Sequence, residues 1–450
     1  MTKTRDLTKG SIYTHLKAIA IPASIGFFFQ TMYNIVDTIY AGLISTQAQA
    51  ALALSFPIFF LIIAMGSGIG TATSVLIANA LGEKKKPGLF AVQCFSFAIC
   101  ISFIVAIIGF FSAPSLFTLL GAESDYLNLS LSYMNIILFA TPLFLLKMTI
   151  SQSLTAQGDS LSFRNILILG FFLNIILNPI FMFGFWIIPA MGLQGVALST
   201  VLVQALGVIY LAYKLKKTGL LARRNLVDYI PLKKYFAKIS YQAFPASLNM
   251  MTVAIGIFII TYFVSQFGES AVAAYGIATR IEQILLLPAI GLNFAIISLV
   301  GQNNGAKKFE RVKDSYYIAL KFGLALMTIS TIVLFFFGEL LFRIFTQDEQ
   351  VINIGVNYLR IAAFLTWAYI ILFQTVSLLQ GLKRPMFALW IGVFRQIIAP
   401  ILLFWFFVFV LDLGLDGVWW GIFLVTWIAA FITLFYGYRV FHQKILKKVE

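Results

Sequence analysis

Apolar runs, each long enough to cross a bilayer as a helix, follow one another along the whole chain and are parted by short polar breaks. The pattern predicts twelve spans, at about residues 18–43, 50–80, 90–112, 127–155, 163–185, 191–214, 237–266, 271–301, 315–338, 352–380, 387–411 and 417–438. The same phrases return at an offset of 223 residues. Ile21-Pro22-Ala23-Ser24 answers Phe244-Pro245-Ala246-Ser247, Gly82-Glu83-Lys84-Lys85 answers Gly305-Ala306-Lys307-Lys308, and Gln157-Gly158 answers Gln380-Gly381. Near the end the register slips to 222, with Gly192-Leu193-Gln194-Gly195 against Gly414-Leu415-Asp416-Gly417. Six spans per half is an even number, so both halves enter the membrane from one side. The expected fold is an all-α polytopic membrane protein, with two parallel six-helix lobes related by a pseudo-two-fold along the membrane normal. The division expected is a lobe over 1–214, a linker over 215–236 and a second lobe over 237–450. Doubled halves of this kind commonly build transporters, with the substrate path between them.

Composition excludes a soluble core: 60% of the 450 residues are hydrophobic and 11% charged. The net charge of +15 is placed by topology. With the N-terminus inside, the inner segments hold Lys3, Arg5, Lys9 and Lys17, then Lys84 to Lys86, the linker cations including Lys214, Arg223, Arg224 and Lys238, and later Lys307, Lys308, Arg311, Lys383, Arg384, Lys447 and Lys448. The outer loops offer only Arg343. That asymmetry predicts cytoplasmic termini in a bacterial-type inner membrane, contact with anionic lipid, and no nucleic-acid partner. His15 and His442 are the only histidines and both lie at chain ends, so a His-based metal site or hydrolytic triad inside the membrane cannot be assembled. No phosphate-binding GxxxxGK[ST] loop occurs, which argues against a nucleotide-driven pump, and no cofactor is expected. Cys94 and Cys100 share one span and read as small core residues. Gly66, Gly68 and Gly70 read as a helix-packing patch.

Charges inside spans carry the chemistry, because each costs about 2.5–3.5 kcal/mol there even on mild scales. Asp37 stands in the outer half of the first span, fifteen residues after Pro22. Asn174 and Asn178, four apart on the fifth span, share a helix face, and Thr200 begins the outward part of the sixth. One carboxylate with amide and hydroxyl oxygens suits a hard ion, either a proton or Na⁺ at Asp37. The second half does not copy this set: Ile260 stands where Asp37 would, and Ala399-Pro400 answers Asn178-Pro179. It carries Arg280, Glu282, Arg360 and Arg395 instead, for which a structural ion pair such as Glu282 with Arg395 and a role in a substrate cavity are both open. Lys147 in the fourth span is divided between snorkelling, packing and lining a cavity.

The first-span pattern Gln30-Thr31-Met32-Tyr33-Asn34-Ile35-Val36-Asp37-Thr38, the early Pro22, Asn174 with Asn178-Pro179, and Ala274-Tyr275-Gly276 leading to Arg280-Ile281-Glu282-Gln283 resemble multidrug and toxic compound extrusion (MATE) transporters. The resemblance spans essentially the whole chain. It implies a monomeric, non-enzymatic antiporter that exports drugs and organic cations in exchange for H⁺ or Na⁺ by alternating access. It also implies that Asp37 is the first-lobe cation-site carboxylate, with Asn174 and Asn178 around it and Tyr33 and Asn34 toward the cavity. Where some members carry Asp this chain has Asn178, and at the acidic positions that others use in the seventh and tenth spans it has only Asn249 and Gln374. A lipid-linked saccharide flippase of the same superfamily is the alternative.

Overall fold

In a computed structural model, which describes residues 4–122, 124–222 and 224–446, the chain is helical almost throughout. Lys3, Arg223, Lys447 and Lys448 lie outside the described residues. Among the described residues ten helical segments are long and apolar enough to cross a membrane singly, and two bent helix pairs supply the remaining candidates, for up to twelve spans. In chain order the helices are α1 (Ile12–Ile44), α2 (Thr46–Glu83), α3 (Pro87–Leu119), α4 (Ser124–Phe139), α5 (Thr141–Thr155), α6 (Leu161–Phe183) and α7 (Leu193–Lys217). The second series is α8 (Lys233–Ser265), α9 (Glu269–Gly305), α10 (Phe309–Arg343), α11 (Glu349–Ala362), α12 (Leu365–Gly381), α13 (Met386–Val393), α14 (Ala399–Trp405) and α15 (Gly414–Leu446).

The fourth and tenth spans, read from the sequence as continuous, are each broken. The axis turns by 46° between α4 and α5 and by 50° between α11 and α12. The two bends have different causes. Pro142 in the first turn of α5 has no backbone N–H to continue the ladder from α4. No proline stands at the second break; there the hydroxyls of Thr331 and Thr366 donate to the Ala363 carbonyl at 3.0 and 2.9 Å and satisfy it as the helix bends. The eleventh span also departs from regular α geometry, with two wide π turns, Phe394–Ile398 and Phe406–Val410, flanking α14. Pro400 removes the N–H that the Gln396 carbonyl would take, and the turn ahead of it widens.

The chain forms two compact units, but they differ from the expected division at their edges. The first unit is Met1–Asp6 with Ile25–Ser247, and the second is Leu7–Ser24 with Leu248–Glu450. Two long helices are therefore divided: α1 gives its first half to the second unit, and α8 gives its first half to the first. Glycines explain both assignments. A Cβ at Gly291 of α9 would lie 2.6 Å from the Ala20 carbonyl oxygen and 3.0 Å from the Ser24 nitrogen. One at Gly68 of α2 would lie 2.6 Å from both the Ala243 carbonyl oxygen and the Ser247 nitrogen. Only glycine lets these backbones meet, which is the helix packing expected of the Gly66–Gly70 patch. Each division follows two residues after the repeated proline, Pro22 or Pro245.

Side chains also pin the segments that lead into the divided helices. In the second unit the Gln302 side-chain oxygen accepts from the Leu7 nitrogen at 3.0 Å, while Asn303 and Arg311 donate to the Leu7 carbonyl. In the first unit Gln93 donates to the carbonyls of Asp228 and Ile230 at 2.6 and 2.8 Å and accepts from the Leu232 nitrogen at 2.9 Å. The linker, in which the sequence shows no motif, is held by that buried amide together with the Ser96 hydroxyl, which donates to the Tyr229 carbonyl at 2.7 Å. The repeat also extends to backbone conformation. Lys84 and Lys307 are left-handed at φ 55° and 57°, and Gly192 and Gly414 at φ 53° and 58°.

The first unit buries a core that includes Ile62, Phe97, Phe117, Met134 and Leu145. The second has one cluster around Phe342, Phe404 and Trp419 and another around Leu16, Ile296 and Met327.

Candidate functional site

Asp37 is a buried carboxylate within a span of the first unit, 8% exposed, on the inward face of α1. Its position follows from helix periodicity. Tyr33, Asp37 and Ala41, four apart, are all buried, whereas Asn34, Ile35, Thr38 and Ile39 are exposed. Across from it α6 presents Asn174 and Asn178 on one stripe, both fully buried. Both amide nitrogens donate to the same carboxylate oxygen, Oδ1 of Asp37, at 2.8 and 2.9 Å. Hydrogen bonds onto an ionised acceptor are stronger than neutral ones, so the pair offsets part of the cost of burying the charge. Thr200 on α7 is a further hydrogen-bonding neighbour of the carboxylate, and its hydroxyl oxygen accepts from the Tyr33 hydroxyl at 3.0 Å.

Asp37, Asn174, Asn178 and Thr200, which the sequence reading grouped, are thus brought together, with Tyr33 joined to them. Asn34 is not. It points away on the exposed face and accepts only a long contact, 3.5 Å, from Gln30. Sequence reasoning missed Ser199, whose hydroxyl donates to the Asn178 side-chain oxygen. Its signal was adjacency, a hydroxyl directly before Thr200. Tyr133 of α4 also lies within electrostatic range of Asp37, and nothing in its local sequence announces it. One acceptor is left over. The buried Asn174 side-chain oxygen has no hydrogen-bond partner among the described residues.

The second unit does not form the Glu282–Arg395 ion pair that was one of the two readings of these charges. No contact within 4 Å joins them among the described residues. Tyrosines separate them: Tyr275 and Tyr369 both lie within electrostatic range of both charges. Arg395, in the first π turn, sits 5.6 Å over the Tyr369 ring. Glu282 is half-buried, has Tyr358 as hydrogen-bonding neighbour, and keeps one carboxylate oxygen without a hydrogen-bond partner. Tyr358 packs on Trp419 at 4.7 Å and on Tyr275 at 5.8 Å, so the acid stands on an aromatic wall. Arg280, two residues before Glu282, is exposed. Arg343 pairs with Glu339 and Glu349, and Arg224 with Asp228, outside both clusters.

The family model described as MatE matches residues 22–180 and again residues 245–405, so the two matches begin at the two repeated prolines. The chain is 28% identical over 386 residues to a protein of Shewanella oneidensis named FAD transporter, covering 84% of each. It is 24% identical to the multidrug export protein MepA of Staphylococcus haemolyticus, covering 98% of this chain and 97% of that one. Among solved structures it is similar to one described as the outward-facing conformation of a multidrug resistance MATE family transporter of the MOP superfamily. The TM-score is 0.91, with 25% identity and 98% of both chains covered.

Proposed function

The chain belongs to the MatE family, and on that premise we propose that it is a proton-coupled multidrug exporter in which Asp37 carries the coupling ion. The coarser part needs no proposal: it is a multi-pass membrane transporter of the multidrug efflux kind, not an enzyme. Its substrates in this reading are amphipathic organic cations, and the basic inner segments put both termini on the cytoplasmic side.

The observation that carries the reading is the pair of amide nitrogens on Asp37 Oδ1. They spend donors on the carboxylate and leave it no cationic partner, so its charge is offset but not neutralised. A proton needs only one lone pair of the other oxygen. Na⁺ needs a shell of oxygens, and both amides would have to turn over to offer theirs to an ion on that carboxylate oxygen. This supports H⁺ over Na⁺. Protonation removes a buried charge, and the lobe can then relax about the proline of α1. Pro22 leaves the carbonyl one turn before it without its usual donor, just where α1 passes from one unit to the other.

Purified protein in proteoliposomes, given a proton gradient or a Na⁺ gradient separately, tests the coupling. Substrate uptake should follow the proton gradient alone, and Asp37→Asn should abolish it with expression near normal. Uptake driven only by Na⁺, or full activity in Asp37→Asn, would overturn the assignment. Pro22→Ala restores a backbone donor and should leave substrate binding within about twofold while turnover falls severalfold. Unchanged turnover would remove the hinge from the scheme. A saccharide-lipid flippase, the alternative reading, would fail to lower dye accumulation in a pump-deficient bacterium, where an exporter protects.

A further inference from the structure

Among the described residues Lys147 is the one buried cation of the first unit, and the proposed coupling does not use it. It lies in the middle of α5, is 8% exposed, and makes no hydrogen bond or ion pair among the described residues. It does not snorkel. Its stem runs inward over Gly207 of α7, where a Cβ would stand 3.0 Å from Lys147 Cε and 3.1 Å from Cδ. The missing side chain at Gly207 makes the channel in which the stem lies. Lys147 lines a small chamber of about 10 Å³, walled also by Gln30 and Tyr33 of α1, Ile166 of α6 and Gln204 of α7. A chamber of that size admits a single water or one oxygen of a ligand. Its polar lining consists of neutral amides and a phenol, with no carboxylate. A lysine inside a membrane protein pairs as a rule with an acid or with backbone carbonyls, because its charge is costly to bury. Here none of the described residues supplies a partner.

We propose that Lys147, with the Gln30 and Gln204 amides, is an anion subsite that takes one carboxylate oxygen of a substrate that also bears a cationic group. This deepens the exporter reading and rests on it. Tyr33 is the common wall: its ring lines the lysine chamber, and its hydroxyl donates to Thr200 beside Asp37. The first unit therefore offers a negative group and a positive group on either side of one tyrosine, an arrangement matched to a zwitterionic amphiphile. The chamber holds one oxygen of an anionic group, and a carboxylate is a small organic anion that presents one.

The test compares tetramethylrhodamine, which carries a free carboxylate, with its methyl ester, the same cation without the acid. Binding to purified full-length protein and uptake into proteoliposomes are measured for the wild type and for Lys147→Met, which keeps the stem and removes the charge. The ester reports on the exporter reading, and wild-type protein that moves neither dye defeats that reading rather than this one. The expected result is that Lys147→Met weakens binding of the free acid about ten- to hundredfold, the range for losing a hydrogen bond to a charged group, and leaves the ester within about twofold. Equal loss of both dyes, or no loss of either, would overturn the subsite. A second measurement needs no variant: acetate should compete with the free acid on wild-type protein and not with the ester. Failure of acetate to discriminate between the two dyes would count against the proposal even if Lys147→Met does not fold.

Discussion

Glu282 and Arg395 show how a charge can persist in a membrane span without the partner that charge arithmetic suggests. Each is held by tyrosine, one through the Tyr358 hydroxyl and the other over the Tyr369 ring. Removing both charges should therefore not cancel the damage of removing either. In a double-mutant cycle with Glu282→Gln and Arg395→Gln, the detergent-solubilised double variant should melt no higher than the less stable of the two single variants. Recovery of stability in the double variant would mean that the two charges meet in a conformation other than this one. The Asp37 cluster was largely legible in the sequence, because an acid in an apolar span is conspicuous and Asn174 and Asn178 declare a shared face by their spacing. Ser199 and Tyr133 were not, since a hydroxyl on a helix has many uses and only tertiary structure shows what it faces. Asn34 illustrates the converse. It is polar and close to Asp37 in sequence, yet helical geometry turns it to the outside.

Among the elements, the spans were legible and their interruptions only partly so. Hydropathy counts apolar residues and is blind to a change of axis, so α4 with α5 and α11 with α12 each read as one run. Pro142 could have marked the first bend. The second depends on Thr331 and Thr366 supplying hydroxyls to a freed carbonyl, one of them from a different helix, and no local signal carries that. The close approach of α1 to α9 yields a sharper expectation. Gly291→Ala must push a methyl group toward the Ala20 carbonyl oxygen and should destabilise the protein by about 1–3 kcal/mol, read as a lower melting temperature. Gly276→Ala on the same helix is the control. Its Cβ would meet nothing within 4 Å, so that variant should be neutral or slightly stabilised. Equal effects from the two changes would show that glycine in α9 matters for flexibility rather than for contact.

Across the whole molecule the repeat supplies the frame but not the chemistry. At the offset of 223 residues Asp37 corresponds to Ile260, Lys147 to Ile370 and Glu282 to Phe59, while in the register that sets Pro179 against Pro400 Arg395 stands where the first half has Asn174. The paired glycines, the left-handed lysines and the prolines are kept in both halves, whereas the titrating groups are particular to one. Backbone geometry is what both halves need in order to fold, and each half's charges answer only to what that half binds.

The division of α1 and α8 between the units bears on how the chain is made. A cut near Asn225 would leave two fragments, neither of which contains a whole unit, because Leu7–Ser24 pack in the unit formed by the later fragment and residues up to Ser247 pack in the other. Each fragment made alone would expose the glycine seam at Gly68 or Gly291 to lipid and should be degraded, while the two made together should exchange their leading helices, accumulate and regain export. Immunoblots of cells making one fragment or both would show it, and stable accumulation of either fragment by itself would contradict it. An ancestor with a single half would have faced the same requirement, so that two copies could complete one another only by reciprocal exchange of their first helices.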